Sequence, residues 1–166
     1  MAPHRLHRLP AFDYRGLHAY FLTMCTSDRH PAFANHAFAA DAAAQLLRSA
    51  TTFHFAVPAY CLMPDHVHIV LEGEQEDSDM KSFVQSWNTS VGFRWRRAHG
   101  TALWQGRYYD HVLRNDVALL EVARYVVMNP VRASLVQKAE DYPFSGSSRY
   151  TIAKILEAAG DWRPTW

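Results

Sequence analysis

Cysteine is scarce in this chain, with two thiols, Cys25 and Cys61, among 166 residues. Each lies inside an apolar, strand-like run and reads as a small buried hydrophobe. A disulfide scaffold or a cysteine-based zinc finger would need more thiols or an oxidising compartment. Long apolar runs are missing too. No stretch reaches the length that spans a bilayer, and the opening MAPHRLHR lacks the apolar segment of a secretory signal, so a cytoplasmic protein is expected. There is no glycine-rich phosphate loop, no internal repeat and no coiled-coil heptad pattern, which removes the nucleotide-cradling, solenoid and zipper classes.

What is present is enough apolar material for one core. The chain is 49% hydrophobic and 13% aromatic, with five Trp and eight Tyr, which excludes disorder and suits one domain over residues 1–166. Residues 1–15 are basic and histidine-rich and read as an N-terminal arm, and residues 137–166 as a C-terminal extension. Between them, 18–26 is a continuous apolar run that predicts a buried strand, and 37–49 has helical spacing. Two strand-like runs, 53–62 and 66–72, flank Met63-Pro64-Asp65, a turn by composition, so they predict a hairpin. Ser78 or Asp79 can cap a helix reaching about residue 98, in which Met80, Phe83, Val84, Trp87, Val91 and Trp95 recur at three- and four-residue steps. A strand over 108–113 follows, and then a helix over about 116–128, with Asn115 as its cap and Asp116 as a first-turn charge. That helix should stop at Asn129-Pro130, because the residue before proline is pushed from helical angles. A weak amphipathic segment covers 152–159. This order suits an α+β fold with an antiparallel sheet and its helices on one side.

The net charge of +1 hides an asymmetry. Glu72, Glu74, Glu76, Asp77 and Asp79 cluster after the hairpin, whereas Arg94, Arg96, Arg97, Arg107, Arg114, Arg124 and Arg132 fall in one later block. The arginines fit either phosphate contacts or an ordinary solvated face.

The hairpin's second strand begins MPDHVHIV. In a strand alternate residues share a face, so His66 and His68 converge while Val67 and Ile69 point to the opposite layer. Such a pair fits a two-nitrogen metal site, although on a strand it is more often a half-exposed surface pair. In the last main helix Tyr125 lies among Val122, Val126 and Val127, and Asn129, four residues on, shares its face. Beside a divalent metal that polarises a phosphate, a tyrosine hydroxyl can act as a nucleophile and an asparagine oxygen as a ligand, which suits Mg²⁺ or Mn²⁺. The plainer alternatives are a buried tyrosine and a helix C-cap. Asp110 and His111, late in the preceding strand, are candidates to orient a ligand or contact DNA, and equally fit an ordinary strand-end pair.

Three segments together, MPDHVHIV, LWQGRYYDHVLRND at 103–116 and ARYVVMNPVRASLV at 123–136, resemble the REP-associated tyrosine transposases, a branch of the HUH single-tyrosine transposases. YFLTMCTSDRHPAF at 20–33 and YPFSGSS at 142–148 extend the likeness over most of the chain. The chain departs from the pattern at Ala133-Ser134, where Ala-Gly is expected, and in a shortened loop before Leu103. The resemblance implies a ferredoxin-like antiparallel sheet with packed helices, metal-binding His66 and His68, and Tyr125 as nucleophile. Asn129 stands where the wider superfamily carries a polar ligand, often glutamine. The implied activity is metal-dependent nicking and strand transfer on single-stranded or hairpin DNA through a 5′-phosphotyrosine, by a monomer or homodimer. Arg94, Arg96, Arg97, Arg107, Arg114 and Arg132 would contact DNA. The rival classes are a non-catalytic nucleic-acid-binding module on the same fold and a metal-dependent phosphohydrolase.

Overall fold

The computed structural model describes residues 11–114 and 118–165. The arm up to residue 10, the Asn115 cap and the Asp116 first-turn charge lie outside them. The elements are β1 (Ala19–Thr26), α1 (His36–Thr52), β2 (Phe55–Met63), β3 (His66–Gly73), α2 (Met80–His99), β4 (Trp104–Leu113), α3 (Leu119–Val127), α4 (Asn129–Arg132), β5 (Ser145–Gly146) and α5 (Ile152–Leu156). All strand pairs are antiparallel, in the order β4-β1-β3-β2-β5. The first four strands and two helices make the ferredoxin-like β-α-β-β-α-β unit. The two-residue β5 brings the C-terminal extension onto the same sheet.

Local chemistry accounts for the main boundaries. Asn35 caps α1 through its side chain, and Asp79 caps α2 by accepting from Ser82 N–H at 3.0 Å. Gly100, with φ of 74°, closes α2 in the left-handed region that glycine adopts without steric cost. The hairpin turn is only Pro64-Asp65. Phe33 N–H donates to the Pro64 carbonyl and Thr26 N–H to that of Asp65, both at 3.0 Å, so the turn is tied to two other segments.

The helices are not all on one side. α1 and α2 cover one face, over Tyr20, Leu22, Met24, Val67, Ile69 and Leu71, while α3 and α5 cover the other, over Phe21, Ala59, Cys61 and Val70. Both faces of β1 and β3 are therefore buried, which is why these strands read as nearly continuous apolar runs. Within β2 the register shifts between Ala56 and Ala59, around Pro58, which cannot donate to the ladder. Phe55 and Val57 pack under α1 and α2, but after the shift Ala59, Cys61 and Met63 face α3.

Two boundaries differ from the sequence reading. β4 starts at Trp104, because Trp104 pairs with Thr26. α3 starts only at Leu119, since Ala118 is extended, and it ends at Val127. Pro130 does not stop the chain there. It sits in the first turn of α4, where its missing N–H costs nothing, so Asn129 begins a new helical turn. No helix of the described residues is long and apolar enough to cross a membrane.

Candidate active site

The site lies where α3 crosses the sheet. His66 and His68 share one face of β3, with ring centroids 4.8 Å apart. His68 is 4% exposed, stacked on Phe21 at 5.4 Å. The Tyr125 ring, carried by α3, stands 6.1 Å from His68 and 5.9 Å from Phe21. α3 is held down by Val122, Ala123, Val126 and Val127, all fully buried. That face determines where Tyr125 points.

Each imidazole is oriented by a second polar group. His66 Nδ1 lies 2.7 Å from Asp65 Oδ1, and His68 Nδ1 lies 2.8 Å from Thr23 Oγ1. The Asp65 carboxylate can only accept, so His66 carries Nδ1–H and presents its Nε2 lone pair, the arrangement that metal-ligating histidines adopt; the Thr23 hydroxyl, which can donate or accept, holds the His68 ring in place. Asp65 is itself fixed, its Oδ2 2.9 Å from Arg29 Nε. Burial holds His68 well below the usual imidazole value, and the nearby His66, Arg132 and Arg29 push the same way. Burial lowers His66 too, against an upward pull from the Asp65 hydrogen bond. Both shifts favour the neutral ring, the form in which nitrogen binds a metal.

Among the described residues no third His, Cys, Asp or Glu joins the pair in a metal-holding group. Asn129 Nδ2 donates to the Tyr125 and Val126 carbonyls at 3.2 and 3.3 Å. The amide thus satisfies the end of α3 through its nitrogen, and Oδ1 is the atom left with ligating capacity.

The sequence-derived arginines do not converge. Arg132 alone lies against the tyrosine: its guanidinium carbon is 4.2 Å from the ring centroid, and its Nη2 donates to the Tyr125 carbonyl at 2.6 Å. Arg94 pairs with Asp41 of α1, on the far side of the sheet. Arg96 and Arg97 are exposed in the last turn of α2, and Arg107 and Arg114 are exposed at the edge strand β4 and just beyond it. Asp110 is not beside the histidines. It pairs with Leu22 and is 3% exposed, on the α2 face, where burial chiefly raises the Tyr20 hydroxyl and Asp110 adds only a minor push. Strand alternation sends its neighbours Tyr109 and His111 to the tyrosine side, where Tyr109 is 6.5 Å from Phe21.

Several residues of the site escaped the sequence reading. Asp65 was visible as the residue directly before His66, but was read only as a turn former. Thr23 and Phe21 depend on β1 lying next to β3. Trp162, from the C-terminal tail, packs 5.4 Å from Tyr125 and 5.2 Å from Phe21, and no local pattern points to it.

Comparison with known proteins gives one consistent answer. The family model described as "Transposase IS200 like" matches residues 15–129. A Haemophilus influenzae protein provisionally named a REP-associated tyrosine transposase is 22% identical over 154 residues, 86% of each chain. The REP-associated tyrosine transposase of Escherichia coli K12 is 28% identical over 117 residues, 64% of each chain. Among solved structures, that of a REP-associated tyrosine transposase bound to a REP hairpin superposes with a TM-score of 0.69 at 20% identity, covering 99% of this chain and 96% of the other. At that identity the likeness establishes the fold.

Proposed function

Since the chain belongs to the IS200-like transposase family, we propose that it nicks and rejoins single-stranded DNA at the foot of a hairpin, with Tyr125 as the nucleophile. The observation that carries this reading is the seating of Tyr125 6.1 Å from His68, with the second imidazole 4.8 Å beyond. The relative bound to a REP hairpin supports hairpin DNA as the substrate class.

His66 and His68 through Nε2, with Asn129 through Oδ1, would hold Mg²⁺ or Mn²⁺. Such an ion supplies Lewis-acid polarisation of the scissile phosphate. The protein does the rest. Asp65, an acceptor only, fixes the His66 tautomer, Thr23 holds the His68 ring in place, and Phe21 and Trp162 confine the Tyr125 ring from two sides. Arg132, anchored to the Tyr125 carbonyl, retains further N–H donors of its fork for a phosphate oxygen. The Tyr125 oxygen bonds to phosphorus as the bond from phosphorus to the 3′ oxygen breaks. The phenol loses its proton and the leaving oxygen gains one. The products are a 5′-phosphotyrosine and a 3′-hydroxyl, so the bond energy is kept for rejoining and no nucleoside triphosphate is consumed.

The test is incubation of the full chain with a hairpin carrying single-stranded flanks, in Mn²⁺ or in EDTA, followed by a denaturing gel. The proposal expects a shorter fragment ending in a 3′-hydroxyl and a downstream fragment linked to protein through its 5′ phosphate in Mn²⁺, and neither in EDTA. Multiple turnover with no protein-linked species would point to water as the nucleophile. Binding that EDTA leaves unchanged, with no cleavage, would make the chain a binding module.

A further inference from the structure

The C-terminal tail crosses the helix that carries Tyr125 and comes to rest on the tyrosine itself. Gly160 holds φ of 108°, and a Cβ there would run into the Glu121 carboxyl group of α3, so only glycine fits this turn. Two residues on, Trp162 packs 5.4 Å from Tyr125 and 5.2 Å from Phe21. The crossing is therefore seated at two points, and the next residue is a cation. Arg163 lies outside the arginine block read from the sequence. Asp161 holds its fork, with Nε 3.0 Å from Oδ1 and Nη2 3.2 Å from Oδ2. Both N–H groups of Nη1 and one of Nη2 are left for another partner.

This second guanidinium falls near the first. Arg132 lies against the same tyrosine, its guanidinium carbon 4.2 Å from the ring centroid. Burial lowers the Arg132 pKa, Tyr125 opposes that shift, and the charge of Arg163 adds to it. Among the described residues, the one carboxylate paired with either guanidinium is that of Asp161, on the exposed surface. Two like charges held beside one ring repel, and an anion placed on both relieves the repulsion. Planar forks with open N–H groups match the oxygens of a phosphate, and an exposed pair such as Asp161–Arg163 gives up little when a second acceptor shares the fork. Resting on the reading of the chain as a DNA-nicking enzyme, we propose that the C-terminal tail completes the phosphate site, with Arg163 and Arg132 gripping one DNA phosphate beside Tyr125. Gly160 and Trp162 are positioning residues, which keep the tail where Arg163 can reach.

The test is fluorescence anisotropy in EDTA, so that no strand is cut, with a labelled hairpin that carries single-stranded flanks. It compares the full chain with its variants Arg163→Gln, Arg163→Lys, Arg132→Gln and Gly160→Ala. Positions 160 and 163 are exposed at the end of the chain, so the fold should tolerate changes there. Arg163→Gln should weaken binding about tenfold and flatten its salt dependence, as expected for loss of one charged phosphate contact. Arg163→Lys, which keeps the charge and loses the fork, should recover binding to within about threefold. Gly160→Ala, which pushes the tail off α3, should bind about as weakly as Arg163→Gln. Each flank phosphate is then replaced in turn by a neutral methylphosphonate. At one position the replacement should cost the unaltered protein about ten times more than it costs Arg163→Gln, and Arg132→Gln should couple to that same position. Coupling of the two arginines to different positions would overturn the shared grip. Unchanged or tighter binding by Arg163→Gln, with covalent adduct still formed in Mn²⁺, would overturn the tail's role and leave the nicking activity standing. Absence of both adduct and hairpin binding in the unaltered protein would remove the activity and the phosphate site together.

Discussion

His68 is the residue on which the site's electrostatics turn. It is buried between Phe21, Thr23 and the Tyr125 ring, and a charged imidazole there would lack solvent and face Arg132 and Arg29. Its folded-state pKa is depressed, so the stability it contributes is present above the unfolded value of about 6.5 and is lost as pH falls toward the folded value, while the unfolded chain takes up the proton. Urea unfolding in EDTA between pH 7.5 and pH 5 should therefore show falling stability in the unaltered chain. A His68→Leu chain should lose less over the same window. Equal slopes would mean that another group carries the pH dependence. Cys61, paired with His68 across the β2–β3 ladder, is buried in the same layer, and burial, which lowers the imidazole, pushes its thiol up. The apolar surroundings that keep the imidazole neutral thus act on its neighbour as well.

At the scale of elements, the hairpin and α3 divide the work: one fixes the imidazoles, the other delivers the tyrosine. The grip of α3 on the sheet comes from four small side chains, so trimming one should be felt directly. Val126→Ala should cost about 1–3 kcal/mol of unfolding free energy, and should slow adduct formation more than it weakens hairpin binding, as read from urea titration and single-turnover kinetics. The main helices and the first three strands were legible in the sequence because their signals are local: Asp79 as a cap, a three-four stripe from Met80 to Trp95, and Pro64-Asp65 between two apolar runs. His66 and His68 sharing a face followed from alternation alone. The placement of α3 on the opposite face was not legible, because it depends on how the chain leaves β4 and on burial of both faces of β3. The shift at Pro58, which turns Cys61 and Met63 toward the site, and the pairing of Ser145-Gly146 with β2 are non-local in the same way. Asp110 was misplaced because β4's face depends on its register with β1.

Over the whole molecule, charge sorts the arginines that sequence grouped together. Arg132 lies on the tyrosine side, whereas Arg94 is tied to Asp41 on the far face. Hairpin affinity measured across salt concentrations should separate them. Arg132→Gln should weaken binding and reduce the slope of log affinity against log salt by about 1, the loss expected for one phosphate contact. Arg94→Gln should leave both quantities unchanged. Equal effects of the two changes would mean that DNA wraps both faces of the sheet.

The most direct measurement is to locate the covalent bond. Trypsin should release Tyr125 in the peptide spanning residues 125–132, YVVMNPVR, and the rival Tyr109, which also faces the site, in the peptide spanning 108–114, YYDHVLR. After reaction with hairpin DNA in Mn²⁺ and nuclease trimming, mass spectrometry should find the nucleotide on the first peptide, and Tyr125→Phe should abolish the adduct while retaining hairpin binding. A nucleotide on YYDHVLR, or an adduct that survives Tyr125→Phe, would contradict the assignment of Tyr125 as the nucleophile.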